Sequence, residues 1–510
     1  MSTVRLRYTG LVAYSVSLTT MLTGLLFTVL ITRRLSPEEL GVWRYIGTLI
    51  NYFILPAWLM GFWITRMTAR GLRPIATSLL LAAPTASAST ALFIALSPSF
   101  SGAIDFPAAV FLVASIEIPL IYLYTLLESA ANAVRPQTNY YAQLAQEVVK
   151  LPIGLVLVLA LRLGLVGALW SAIAGFAARA AVLALVTRSI GWGTPSRQIA
   201  STMLSRYWLP LYAAIPPNVI ALDNVIVALI YGSAEPLGYA AAAYLLGSVV
   251  VMSGNLAAGL YPRMLQSPSP RDVEVALKMV LMIAIPSSVG ISILSAPLLN
   301  VLRPEYAEAA WVMPALQLGA IVSLLLGIMD YTIVGEERAD YDERSDFRRL
   351  LRSRLFLIPT LNYFYALVYL PALYLALTLL GRRGPVEVLW VWVLTSLAAS
   401  AGLLVYKVRL AVARVPFRFP KEAVSKYLAA TLVMAAVLLL AKPDHLPERV
   451  FDALATALWP VSLSALTYFS ALYLLDREFR QLVAQILEAL RLWGTTLRRP
   501  SSALSSCARR

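Results

Sequence analysis

The stretch TRRLSPEELGVWR, Thr32–Arg44, lies between two long apolar runs. About 200 residues later YGSAEPLGY, Tyr231–Tyr239, lies between two more. Both carry the pattern S-x-E-x-L-G: Ser36, Glu38, Leu40 and Gly41, then Ser233, Glu235, Leu237 and Gly238. Each reads as the start of a helix. Ser36 can accept from orphan backbone N–H groups, Pro37 fits the first helical position, and Glu38 and Glu39 suit the positive end of the helix dipole. Ser233 and Glu235 repeat this, with Pro236 in the first turn. A cap that recurs between apolar runs indicates two copies of one helical unit.

The rest of the chain fits that reading. It has 510 residues, 59% hydrophobic and 14% charged, with a mean hydropathy of +0.73. Apolar runs of about 20 residues, each long enough to cross a bilayer, recur throughout. Only helices or closed barrels satisfy the backbone in lipid, and these runs lack the short alternation of barrel strands. The chain is therefore expected to be an all-α polytopic membrane protein. Its net charge of +15 is assigned to cytoplasmic loops rather than to nucleic-acid binding. One Cys, Cys507, and one His, His445, can build neither a disulfide framework nor a Cys/His metal site, and no cofactor is expected. The N-terminal run is long and no small-x-small cleavage site follows it, which reads as an uncleaved first span.

About fourteen spans are expected, near 11–31, 43–64, 75–96, 107–128, 148–163, 165–186, 208–230, 237–261, 279–302, 309–334, 357–380, 386–406, 424–441 and 452–475. The fifth is short and can begin earlier, within 139–150. With the N-terminus in the cytoplasm, the inside segments hold 32 of the 42 Lys and Arg residues and the outside loops nine; Arg179 lies within a span. That asymmetry places both termini in the cytoplasm and makes the span count even. Residues 335–356 are rich in both signs and read as a solvated cytoplasmic connector. After Asp476, Phe479, Leu482, Val483, Ile486, Leu487 and Leu490 form an apolar helix face, with Arg480 and Arg491 near anionic headgroups.

A second match supports the repeat. LALRLGLVGALW, Leu159–Trp170, is similar to LALTLLGRRGPVEVLW, Leu375–Trp390, with four residues inserted. The first pair of matches links spans one and two to seven and eight; the second links five and six to eleven and twelve. The unit is six spans long, and an even number gives both copies the same orientation. This divides the chain into residues 1–205, residues 206–415, an appendix of two spans in 416–476, and a tail from 477 to 510.

No Lys follows a Gly, so no Walker A loop is present, and the extramembrane pieces are shorter than a minimal catalytic domain. With an enzyme disfavoured, polar residues inside the spans become the functional candidates. Glu117 lies near the middle of span four and Arg179 within span six, at roughly matching depths, which suits either a buried ion pair or a cavity lining. Asp223 and Asn224 follow Pro216-Pro217-Asn218, which is expected to interrupt span seven and free backbone carbonyls. Asp330 lies near the inner end of span ten and reads as interfacial. Asn51 lies on span two and Asn255 on span eight, spans related by the repeat. Arg33, Arg34 and Arg44 ring the outer side of spans one and two, and Arg66 and Arg263 the inner ends of two and eight. These arginines are either snorkelling anchors or a phosphate-capturing set.

LITRRLSPEELGVW, ITRMTARG, LPLYAAIPPNVIALDNVIVALIYGSAEPLGYAAAAYLL and LSAPLLNVLRPEYAEAAWV together resemble the Wzx-type polysaccharide flippases of the multidrug/oligosaccharidyl-lipid/polysaccharide (MOP) exporter superfamily. The resemblance covers roughly residues 1–415. It implies two six-helix lobes around a central cavity, alternating access, and a lipid-linked oligosaccharide carried from the cytoplasmic to the outer face of the cell membrane. A cationic cavity would hold the pyrophosphate in such a protein, but spans one, two, seven and eight carry no mid-membrane Arg here. On this reading Arg33, Arg34, Arg44, Arg66, Arg179, Asn51, Asn224 and Asn255 are substrate-binding candidates. Glu117 and Asp223 are candidates for coupling to H+ or Na+. The partners are the glycan lipid, membrane lipids and the coupling ion. The rivals are a MATE-like cation-coupled drug antiporter, which usually needs an acid in span one, and a glycan polymerase or ligase, which needs a large outer loop. A flippase for a peptidoglycan precursor is disfavoured by the weak cavity charge.

Overall fold

A computed structural model of the chain describes residues 6–35, 37–104, 106–231, 235–302, 304–337, 347–381, 384–443, 447, 450–481 and 483–484. Ser36, the residues Gly232, Ser233 and Ala234, His445, Cys507 and most of the tail face lie outside them, and Phe479 stacks on Phe469 with ring centroids 5.9 Å apart. The described residues are helical and contain no strand. Twelve helices among them are long and apolar enough to cross a membrane, or thirteen when one bent pair counts as a span. The first expected run is covered by α1, Leu6–Arg34.

The bent pair is α2 (Pro37–Phe53) with α3 (Leu55–Ala69), which meet at 51° over the expected second span. Pro56 has no N–H for the ladder, and Ala57 N turns instead to Ile54 O at 3.0 Å. That frees Phe53 O, which accepts from the buried Tyr122 hydroxyl at 3.1 Å. Next comes α4 (Ile75–Ile104), then α5 (Ala108–Ala114) and α6 (Glu117–Val134), which together make the most buried span among those described. The fifth span begins early: α7 (Gln137–Gly154) continues as a π-helical turn over Leu155–Ala160. Its amide-rich first part, where the start of the span was left open, buries Thr138, Asn139, Ala142 and Glu147 and exposes Tyr141 and Val148.

The sixth span is α8 (Gly164–Arg188), followed by α9 (Arg197–Ser205). The carboxylate of Glu39 accepts from Leu165 N at 3.2 Å. Glu39, part of the opening motif, thus caps α8 from a distance of 126 residues in sequence. Gly164 sits at φ +54°, and a Cβ there would come within 2.5 Å of Glu39 Oε1.

Span seven comprises α10 (Trp208–Ile220) and α11 (Leu222–Tyr231). The helix runs through Pro216-Pro217 and breaks only at Ala221, later than expected. The carbonyl of Tyr212, which Pro216 cannot reach with an N–H, accepts from the Tyr363 hydroxyl at 3.1 Å. The Asn218 amide donates to Ala214 O at 2.9 Å. Span eight begins as α12 (Glu235–Val251), tightens to a 3-10 segment over Met252–Ala257 and resumes as α13 (Leu260–Gln266). The breaks at Ile54 and Met252 are spaced, within one residue, as Ser36 and Ser233 are, so the interruption belongs to the repeat. The remaining helices are α14 (Pro270–Leu302), α15 (Met313–Glu336), the short α16 (Phe347–Leu351), α17 (Arg354–Leu380), α18 (Pro385–Val412), α19 (Lys421–Ala441) and α20 (Val450–Leu475). In the expected connector, Arg354 pairs with Glu336, and residues 338–346 lie outside the described ones.

By internal contacts the chain divides into two compact units. The first comprises Met1–Leu237, Val251–Val280 and Gly319–Phe419. Its core holds Trp63, Phe93, Phe111, Tyr122 and Leu127, with α6 packed on α3, α4 and α8. The second comprises Gly238–Val250, Leu281–Leu318 and Pro420–Arg510. There α19 packs on α20, Tyr468 donates to Met282 O at 2.6 Å, and the Lys426 ammonium lies 2.7 Å from Glu422 and 3.7 Å from Asp476.

Candidate functional site

Inside the first unit, the apolar span α5–α6 carries a polar stripe: Thr125, Glu128, Ser129 and Asn132. Their spacing of i, i+3, i+4 and i+7 places them on one face of the helix. A second stripe, Asn139, Gln143 and Gln146, runs along α7 at i, i+4 and i+7. Most of these residues line a cavity of about 540 Å³, together with Trp58, Thr65, Tyr124, Tyr140 and Arg179. A second cavity of about 430 Å³ shares Asn132 and Tyr140 and adds Asn255, Tyr261, Ser323 and Tyr331.

One carboxylate, Glu128, and one cation, Arg179, line these cavities among the described residues. They are paired at 2.7 Å. The other terminal nitrogen of Arg179 donates to Gln146 Oε1 at 3.1 Å, and its guanidinium lies 4.5 Å from the Tyr124 ring centre. Glu117 is not the partner of Arg179. On a continuous helix eleven residues make about three turns, so Glu117 shares the face of Glu128 but lies about 16 Å further along the axis. Glu117 is 7% exposed at the first turn of α6, and its Oε1 is buried with no hydrogen-bond partner.

A second cluster stands on the counterpart spans. Lys407 of α18 lies 2.7 Å from Asp330 Oδ1 of α15 and donates to Asn362 Oδ1 of α17 at 3.2 Å. Acid, base and amide come from spans four, six and five in one cluster and from ten, twelve and eleven in the other. Asp330, expected at an interface, is in fact the partner of a buried lysine, with Lys407 only 1% exposed.

The other candidates fall in separate places. Arg66 is fully buried and donates to Tyr261 Oη at 3.3 Å, Val334 O at 3.1 Å and Glu337 O at 2.7 Å, clasping the end of α15. Its counterpart Arg263 pairs with Asp272 at 2.9 Å. Asp223 accepts from the Tyr369 hydroxyl at 2.9 Å and the Trp392 indole at 3.1 Å. Asn224 bonds to Asp223 and to Ala221 O. Asn255 donates to the Ser17 hydroxyl at 2.9 Å, and Asn51 is exposed on α2. Arg33 and Arg34 end α1 and Arg44 lies on α2; their side chains lie outside the described ones. The structure thus brings Arg179 and Asn255 to adjoining cavities and leaves Glu117, Asp223 and Arg66 elsewhere. Sequence reading missed Glu128, Asn132, Asn139, Gln143 and Lys407. The two polar stripes were the available signal, but one lay in the stretch 139–150 where the start of the fifth span was left open, and the other crossed the expected end of the fourth span at 128.

Compared with known families the chain matches none, and it matches no curated protein. Its fold is that of solved MATE transporters. A MATE in the straight conformation aligns with a TM-score of 0.62 at 13% identity, over 80% of this chain and 96% of that one. An outward-facing multidrug resistance MATE family transporter of the MOP superfamily gives 0.59 at 13% identity, over 80% and 95%. A mutant of the Vibrio cholerae MATE transporter VcmN gives 0.57 at 14% identity, over 80% and 96%. These neighbours are transporters, and the chain is a multi-pass membrane protein built on their fold.

Proposed function

We propose that the protein is a flippase that carries a lipid-linked oligosaccharide from the cytoplasmic to the outer face of the membrane by alternating access. The observation that carries this reading is the chemistry of the adjoining cavities: amides, hydroxyls and aromatic rings, with the one carboxylate and the one cation among the described lining residues paired to each other. Amide and hydroxyl groups on an aromatic wall suit a sugar, whose surface alternates hydroxyl edges with C–H faces. The sugar would occupy the cavity while the lipid tail stays in the bilayer. In this reading residues 1–205 and 206–415 form two lobes, residues 416–476 add two spans, both termini face the cytoplasm, and Arg33, Arg34 and Arg44 serve at the outer rim. Glu117 and Asp223 are the groups that couple transport to H+ or Na+. The test is the topology of lipid-linked sugars in a deletion strain. Glycolipid should be retained on the cytoplasmic face, and normal surface glycans without the protein would remove the reading.

A second reading, a cation-coupled antiporter, is favoured by the fold shared with MATE transporters. It predicts efflux of a cationic dye driven by a Na+ or H+ gradient in proteoliposomes. Glu128, the carboxylate on the cavity wall, is already held by Arg179, so no described lining residue offers an unpaired carboxylate to such a cation.

A further inference from the structure

The two acid–base–amide clusters occupy counterpart spans of the repeat and use the same residue classes, but they differ in what they face. Glu128 and Arg179 line the 540 Å³ cavity. Lys407 is sealed at 1% exposure, and neither it nor Asp330 lines either cavity. This second cluster, with its cation buried and Asp330 28% exposed, ties three spans together away from both cavities. The open one has a further consequence, because it sets the charge that cargo meets. Both terminal nitrogens of Arg179 are engaged, by Glu128 and by Gln146, and its face lies on the Tyr124 ring, while its Nε is buried without a hydrogen-bond partner. Full engagement of the guanidinium by a cargo anion displaces Glu128, and full engagement of Glu128 by a cargo cation displaces Arg179. Either leaves a charge stranded in a partly desolvated site, where a lost partner is costly. An uncharged sugar meets no such penalty, and the wall offers it the Asn132 amide and the Asn139 amide, whose Oδ1 is buried without a hydrogen-bond partner.

We infer that the Glu128–Arg179 pair is a charge filter that makes this cavity selective for uncharged, hydroxyl-rich sugar units over acidic and amino sugars. The inference rests on the sugar-carrying reading above and specifies its substrate class. Specificity of this kind comes from what the site rejects.

The test uses the purified full-length protein and three soluble probes of equal length: maltotriose, trigalacturonic acid and the trisaccharide of glucosamine. Binding is followed by tryptophan fluorescence, since Trp58 lines the cavity. The wild type should bind maltotriose about tenfold or more tighter than either charged probe. Glu128→Gln frees Arg179 and should turn the preference toward the galacturonate. Arg179→Gln frees Glu128 and should turn it toward the glucosamine trisaccharide. The double variant should restore the neutral preference, and Asp330→Asn with Lys407→Gln should leave all ratios unchanged. Ratios of dissociation constants on one sample do not depend on its folded fraction, and the wild-type ratios decide the matter even if a variant fails to fold. The inference is overturned if the wild type binds no probe or does not favour the neutral one. It is equally overturned if folded single variants shift no ratio, or if the Asp330/Lys407 variant shifts them as much. A neutral preference combined with normal glycolipid topology in the deletion strain would remove the flippase reading alone. Altered topology with no neutral preference would remove the filter alone.

Discussion

Lys407 shows how a single residue can be missed when a span's end is drawn one residue short of it. Hydropathy ends span twelve at 406 and leaves the lysine to the cytoplasmic loop, yet α18 continues to Val412 and buries it against Asp330 and Asn362. Depth is legible in a sequence because apolar runs have ends, but the partner across a helix interface is not. The same limit made Glu117, rather than Glu128, look like the partner of Arg179. Replacing Lys407 with Met strands Asp330 and should cost about 3–5 kcal/mol, seen as a lower unfolding midpoint in detergent. Adding Asp330→Asn should recover most of that loss; a double variant as unstable as the single one would show that the pair is not what holds these spans.

Helix breaks were half legible. Pro56, Pro216 and Pro217 announce that carbonyls will be freed, whereas the hydroxyls that take them lie far off in the chain: Tyr122 for Phe53, and Tyr363 for Tyr212 at 151 residues' separation. The rescue of Tyr212 O also explains why α10 passes through its prolines before breaking at Ala221. Tyr363→Phe should cost about 1 kcal/mol of stability, and little once Pro216→Ala has restored an N–H for the same carbonyl. Equal losses in both backgrounds, in a thermal-shift double-mutant cycle, would separate the tyrosine from the proline. At the start of α8, Gly164→Ala forces a side chain into a left-handed conformation and onto the Glu39 carboxylate. A penalty of about 1–2 kcal/mol from the backbone alone is expected by the same measurement.

At the scale of the whole molecule, the six-span period read from two short motifs reappears in structure as paired breaks and paired ionic clusters. The copies have diverged at their Arg-rich ends: Arg66 clasps backbone carbonyls where Arg263 holds a carboxylate. Under the proposed alternating access such a clasp would have to open. With Cys507 replaced by Ser, the chain has no cysteine, and a probe cysteine at Asn132 reports on the cavity. Arg66→Ala should raise its labelling by an impermeant maleimide from the Arg-rich side about threefold or more; unchanged labelling would mean that the clasp does not close that path. The cap that Glu39 provides for α8 has a bearing on biogenesis. Chains enter the membrane N-terminal segment first, so the helix that carries Glu39 is inserted well before Leu165 is synthesised. An orphan donor of the first turn of α8 thus meets a carboxylate made 126 residues earlier.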